Sequence, residues 1–306
     1  MNIIISGSMA YDRIMAFPEY FADHILPDKI HMLNVCFQVD GVTEHFGGTA
    51  GNIAYALRLM GKQAHVTATI GHDYHRYFKW LQENNITTNG IKVIDEEFTA
   101  GAYITTDKAD NQITGFNPGA MKYSSDLDFD QLDPAETIVI ASPGNLEDMI
   151  NYPRACKERG IRCIFDPGQA LPVLQEEDLI EAITGAYLLI VNDYEFDMIK
   201  NKTGKTREEL LAMPEATIIT FGEHGSQLLM DGKETAIAAA TAAQVVDPTG
   251  CGDAFRGALL YGLAKGHDLA ESARLGSICA SFAVEHHGTQ VYSFTEEEFS
   301  LREQTC

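Results

Sequence analysis

In the C-terminal third of the chain, Gly250-Cys251-Gly252-Asp253 combines two things that anion chemistry needs: bare backbone N–H groups and a nearby carboxylate. Val245-Val246 reads as the end of a strand, and Asp247-Pro248-Thr249 turns the chain into a helix over 252–265. The apolar positions of that helix (Phe255, Ala258, Leu259, Gly262 and Leu263) recur at helical spacing. Small residues before a helix leave its first N–H groups unpaired, and the helix dipole adds positive potential there. From the residues alone, an anion-binding loop and a tight structural turn both remain open. A helix start also lowers a thiol pKa, so Cys251 is expected to be either a reactive thiol or an inert spacer.

Other polar clusters fall at expected turns. Ser8 to Asp12 follows the first apolar run, at the carboxyl edge where open α/β sheets bind ligands. Gly47-Gly48-Thr49-Ala50-Gly51-Asn52 reads as a glycine-rich helix start. Asn192-Asp193-Tyr194-Glu195 reads as an Asn cap with an acidic first turn. Thr220-Phe221-Gly222-Glu223-His224-Gly225 reads as a turn between strands. Two rival phosphate motifs fail. Gly204-Lys205-Thr206 ends like a P-loop, but Ile199 stands where that loop requires glycine. Phe255 replaces the third glycine of a dinucleotide fingerprint.

Asp247 to Phe255 resembles the C-terminal signature of the ribokinase-like (PfkB) carbohydrate and nucleoside kinases, and Gly47 to Ala54 resembles the N-terminal one. The resemblance runs nearly end to end and is closest to bacterial adenosine kinases. The supporting stretches are Gly7-Ser8 with Asp12, His45 to Asn52, Asn117 to Met121, Asp166 to Gln169, Asn192 to Glu195, and Gly288-Thr289-Gln290. It implies that Gly250, Cys251 and Gly252 form an anion hole and that Asp253 is the catalytic base. It implies that Ser8, Asp12, Gly48 and Asn52 hold the acceptor, with Asp12 on a sugar diol, Phe116 stacked on a base and Gln169 near the nucleoside. It places Asn192, Thr220, Gly222 and Gly225 at the nucleotide, and Glu195 at Mg²⁺ through water. Asp247 and Thr249, with carbonyls near Gly288, fall where relatives hold a monovalent cation such as K⁺. The implied reaction is ATP-dependent phosphorylation of a nucleoside 5′-hydroxyl, adenosine to AMP in purine salvage. The alternatives are a sugar kinase, another purine nucleoside kinase, or a nucleotide sensor without turnover. Departures stand at Cys251 (a small residue in the family), His224 (Lys), Ala102 (a second aromatic) and Ala170 (a second Gln).

The elements that must position these residues form a regular pattern. Buried strands are expected at 2–6, 64–70, 137–141, 161–165, 187–191 and 216–221. Helices are expected at 51–60, 74–84, 146–159, 176–184, 193–202, 206–212 and 269–285, besides 252–265. This alternation implies an α/β fold with a doubly wound, mostly parallel sheet. Residues 13–46 and 97–116 break it, and the family resemblance makes them a small β-sheet lid. The large domain then comprises 1–12, 47–96 and 117–306. With 22 Lys and Arg against 44 Asp and Glu, the formal charge is −22, which argues against nucleic acid or anionic membranes as partners. The six cysteines show no metal spacing, and residues 2–5 are too short an apolar run for a signal peptide, so the expected compartment is the cytoplasm. Oligomeric state is left open, a homodimer being one option.

Overall fold

The computed structural model describes residues 1–304; Thr305 and Cys306, the end of the expected large domain, lie outside the described residues. The chain opens with β1 (Asn2–Ser6), then leaves the main sheet through β2 (Ala10–Ala16), the short helix α1 (Phe21–His24) and β3 (Val42–Gly47). It returns with α2 (Thr49–Leu59), β4 (His65–Gly71), α3 (His75–Glu83) and β5 (Ile91–Ile94). A second excursion forms β6 (Ala100–Thr106) and β7 (Gln112–Asn117). Strands and helices then alternate through β8 (Thr137–Ala141), α4 (Leu146–Arg159), β9 (Arg162–Phe165), α5 (Glu176–Ile183) and β10 (Leu188–Asn192). Next come α6 (Asp193–Thr203), α7 (Arg207–Leu211) and β11 (Ala216–Thr220). The hairpin of β12 (Ser226–Met230) and β13 (Lys233–Ile237) leads to α8 (Cys251–Lys265), α9 (Leu269–Ala283) and α10 (Glu296–Glu303).

Among the described residues the large sheet runs β13-β12-β11-β10-β9-β8-β1-β4-β5, parallel from β11 to β5 with the antiparallel hairpin at one edge. Alternation within each strand supplies two cores. Ile3, Ile5, Ile138 and Ile140 pack under α2, α3, α8 and α9, while Ile4, Val139 and Ala141 pack under α4, α5 and α6. Successive strands run outward from β1 in both directions, so the winding reverses between β1 and β8. Ligands of such sheets bind outside the carboxyl ends at that reversal. The smaller sheet runs β3-β2-β6-β7, antiparallel except for the parallel β2–β6 pair.

Two local expectations need correction. Val245 and Val246 form no strand; they lie in a loop, where Val246 N–H donates to the Val284 carbonyl. Asp12 lies inside β2 of the small sheet and not in a loop after β1, because Ala10 to Ala16 find backbone partners on both sides. β5, the β12–β13 strands and α10 carry too little periodicity of their own to be read in advance.

The site depends on one helix crossing. A Cβ on Gly257 of α8 would sit 2.5 Å from the Ala56 Cβ and 2.8 Å from the Ile53 carbonyl of α2. The two backbones therefore meet with no side chain between them, which brings Asn52 on α2 to Asp253 on α8.

Candidate active site

Gly250 caps α8 at φ +79°, and the N–H groups of Gly250, Gly252 and Asp253 have no acceptor among the described residues. The helix thus presents open donors at its positive end. Cys251 is the exception in the expected anion hole: its N–H is turned back onto the Pro248 carbonyl at 3.2 Å.

Asp253 stands in the first turn, partly exposed at the mouth of the site. Its Oδ2 accepts from Asn52 Nδ2 at 2.8 Å. Burial raises its pKa above the ordinary carboxylate value, against the pull of Arg256 and the Asn52 donor, and Glu195 adds to the rise. Arg256, one turn further along α8, is buried; its Nη2 donates to Asp166 Oδ1 at 2.7 Å and its Nη1 to the Gly252 carbonyl at 2.9 Å. Desolvation also raises Asp166, opposed by Arg256. Glu195 rises by burial and by the nearby Asp166, opposed by the Asn192 N–H and Arg256. Arg256 bonds Asp166 directly, and its charge acts also on Asp253 and Glu195.

A row of paired residues crosses the small sheet. His45 on β3 pairs with Asp12 on β2, Asp12 with Ala102 on β6, and Ala102 with Phe116 on β7. Paired residues share a face, so Asp12 and Phe116 project on the same side with only a methyl group between them. At about 4.8 Å per strand spacing, their backbones stand about 10 Å apart. Tyr77 is buried, with its hydroxyl donating to the Gly47 carbonyl; desolvation raises its pKa, and the charges of Asp12 and Asp253 add to the rise. Phe116 is 55% exposed, and burial raises the Asp12 pKa against the pull of His45.

Residues 11–296 match the pfkB family carbohydrate kinase model, which spans nearly the whole chain. The chain belongs to this family. Relatives include a nucleoside kinase of Methanocaldococcus jannaschii, 33% identical over 86% of this chain and 87% of that protein. The ligand-free structure of Burkholderia thailandensis nucleoside kinase superposes with a TM-score of 0.88 at 39% identity, covering 98% of this chain and 99% of that one. Its complex with ADP-inosine gives 0.84 at 39% identity, covering 99% and 95%. As a PfkB kinase the protein is a phosphotransferase acting on a hydroxyl group.

The other expected site residues of this PfkB kinase are placed as follows. Gly48 caps α2 at φ +88°, where a Cβ would lie 2.5 Å from the Ser8 carbonyl. The Ser8 hydroxyl, expected at the acceptor, is buried and accepts from the Thr49 N–H at 3.0 Å. Asn192 and Thr220 pair across β10 and β11 at their carboxyl ends, with Gly222 and Gly225 in the turn that follows. Asn192 and Glu195 form a capping box on α6, bonding each other's backbone at 2.7 and 2.8 Å. Gln169 is exposed on a 3-10 turn (Gly168–Ala170) after β9. Asp247 accepts from the N–H groups of Thr249 at 2.9 Å and Gly288 at 3.3 Å. Burial alone would raise its pKa, but the Thr249 and Gly288 bonds outweigh that and hold it below the usual value.

Burial, with Asp247 and Asp253 beside it, pushes the Cys251 thiol up to about 12, which favours the inert spacer of the two expected readings. Residues given no role from the sequence are Asp166, Arg256, Tyr77, Trp80 and Gln290. Arg256 left a signal: it is the only charged side chain between Ala254 and Leu263, a stretch buried throughout except at Tyr261, and a buried charge needs a partner.

Proposed function

We propose that the protein transfers the γ-phosphoryl group of ATP to the 5′-hydroxyl of a purine nucleoside, with adenosine, yielding AMP for purine salvage, as the acceptor. The observation that carries this is the Asp12–Ala102–Phe116 row of the small sheet, taken with the open amides of α8 beside Asp253. A carboxylate accepts two parallel O–H groups, as a ribose 2′,3′-diol offers, and an exposed ring gives a base a stacking face. With the diol on Asp12, the base lies over Ala102 toward Phe116. The 5′-hydroxyl is then directed at Asp253, and the open amides of α8 receive the phosphoryl oxygens. Positioning and these amides supply most of the rate, because phosphoryl transfer is loose and asks little of the base.

The small sheet acts as a lid that excludes water, a competing acceptor. Mg²⁺ is an ion held largely by phosphate and water. Glu195 would hold it through water, and the ion would neutralise phosphate charge. Asp247 and Thr249 would serve K⁺, tested by replacing potassium with choline in the assay.

The B. thailandensis enzyme was solved with ADP-inosine, which favours inosine as a second candidate acceptor. Phe116 stacks on any purine, so it separates nucleosides from ribose better than adenosine from inosine. Initial rates should be compared for adenosine, 2′-deoxyadenosine, inosine and ribose. Loss of one charged hydrogen bond to Asp12 should lower kcat/KM for 2′-deoxyadenosine about 10- to 150-fold. Ribose as the best substrate would refute the nucleoside assignment.

A further inference from the structure

Behind Asn52, on the side away from Asp253, lies a buried group that the phosphoryl-transfer scheme leaves unused. Gln290 is 2% exposed. Its Nε2 donates to Asn52 Oδ1 at 2.9 Å and to the Tyr77 hydroxyl at 2.7 Å. Its Oε1 accepts from Trp80 Nε1 at 2.9 Å, and Tyr77 in turn donates to the Gly47 carbonyl at 2.6 Å.

The polarity of this chain is set at one end. A carboxamide is nearly symmetric in shape, but its two ends have opposite hydrogen-bonding character. An indole N–H only donates, so Gln290 must turn its carbonyl to Trp80 and its amide nitrogen to Asn52. Asn52 must then turn its carbonyl to Gln290, which leaves its N–H groups for Asp253. Were Asn52 to flip, a carbonyl oxygen would face a carboxylate oxygen at hydrogen-bond distance.

We infer that Gln290 is a positioning residue: together with Trp80 it locks the Asn52 carboxamide so that a donor, not an acceptor, faces the base Asp253. The inference rests on the kinase reading with Asp253 as base. Gln290 touches neither substrate nor phosphate; it acts through Asn52, across an interface of α2, α3 and the segment after α9.

The test is a double-mutant cycle on the full-length enzyme with adenosine and ATP. Gln290→Met keeps length and removes both hydrogen-bonding ends. It should lower kcat about 10- to 150-fold, the range for one bond to a charged group, with KM for both substrates within about twofold. In an Asn52→Leu background the same change should add less than about twofold, because Gln290 has nothing left to orient. Effects that multiply, or a loss expressed in KM, would mean a merely structural role. If Gln290→Met fails to fold, Trp80→Phe carries the test: it frees Gln290 to flip and should lower kcat at constant KM, and an unchanged kcat overturns the inference. Asp253→Asn separates the two levels. Full turnover in that variant overturns the base assignment itself, whereas an inactive Asp253→Asn beside a wild-type kcat for Gln290→Met overturns only the role of Gln290.

Discussion

Around Asp253, the side chains that set the chemistry are joined to one another: Asn52 to Asp253, Gln290 to Asn52, Arg256 to Asp166. On the small sheet, the Asp12 carboxylate has no hydrogen-bond partner among the described residues, and the Phe116 ring stands 55% exposed. The first region spends its hydrogen-bonding capacity internally and gains fixed geometry. The second leaves a carboxylate and a ring unsatisfied, which is how a surface waits for a ligand. Residues of the first kind should govern turnover and stability together, and residues of the second should govern acceptor affinity alone.

The largest effect is expected at Asp253. Asp253→Asn should lower kcat about 10²- to 10⁴-fold in steady-state assays while nucleoside affinity changes little. Stability should move the other way. Burial, with Glu195 nearby, raises the folded pKa above the unfolded value. The stability linked to this group is then fully present below the unfolded carboxylate pKa and is lost as pH rises through the raised folded pKa. At neutral pH the wild type carries that penalty and the Asn variant does not, so Tm by calorimetry should rise. By the same shift, the acid limb of the wild-type kcat profile should lie above the ordinary carboxylate range.

Next comes Arg256→Met, which strands the buried carboxylate of Asp166. Urea unfolding should show a loss of about 3–5 kcal/mol. The exposed Arg154, paired with Glu181 at 2.6 Å, is the contrast. Arg154→Met should cost no more than about 1 kcal/mol. Equal losses in the two variants would erase the distinction between an interior built around charge and a solvated rim.

Phe116→Ala tests the other region. Loss of stacking should lower kcat/KM for purine nucleosides by about 1–3 kcal/mol, leave ribose phosphorylation unchanged and shift Tm by less than about 1 °C. A large fall in Tm would show that the ring belongs to the fold and not to a waiting surface.

The smallest effect concerns Cys251. With its thiol raised to about 12, iodoacetamide at neutral pH in the absence of ATP should leave it unmodified while exposed Cys36 is labelled, as mass spectrometry would show. Rapid labelling of Cys251 would indicate a loop more open than this one.

Local signals in the chain carry much of this architecture. Ile3-Ile4-Ile5 and Ile138-Val139-Ile140 announce buried strands by composition, and β1, β8 and α4 begin and end where the sequence reading places them. Asn192 with Glu195 announces a helix start, because a capping box is made by residues three apart. Gly250-Cys251-Gly252-Asp253 announces open amides beside a carboxylate for the same reason: donors and acid are chain neighbours. What the chain does not announce is anything that depends on distant partners. Arg256 meets Asp166 across 90 positions, and Gln290 meets Asn52 across 238. The face shared by Asp12 and Phe116 exists only once β6 has paired on both sides, and a slip of one residue would turn Phe116 to the other face. The Cys251 thiol follows the same logic, since a helix start favours the thiolate but Asp247, Asp253 and the packed interior disfavour it more. Periodicity and caps report on the nearest turns of backbone. Register, desolvation and the polarity of a buried hydrogen-bond chain are set by which surfaces meet, and that is decided by tertiary packing.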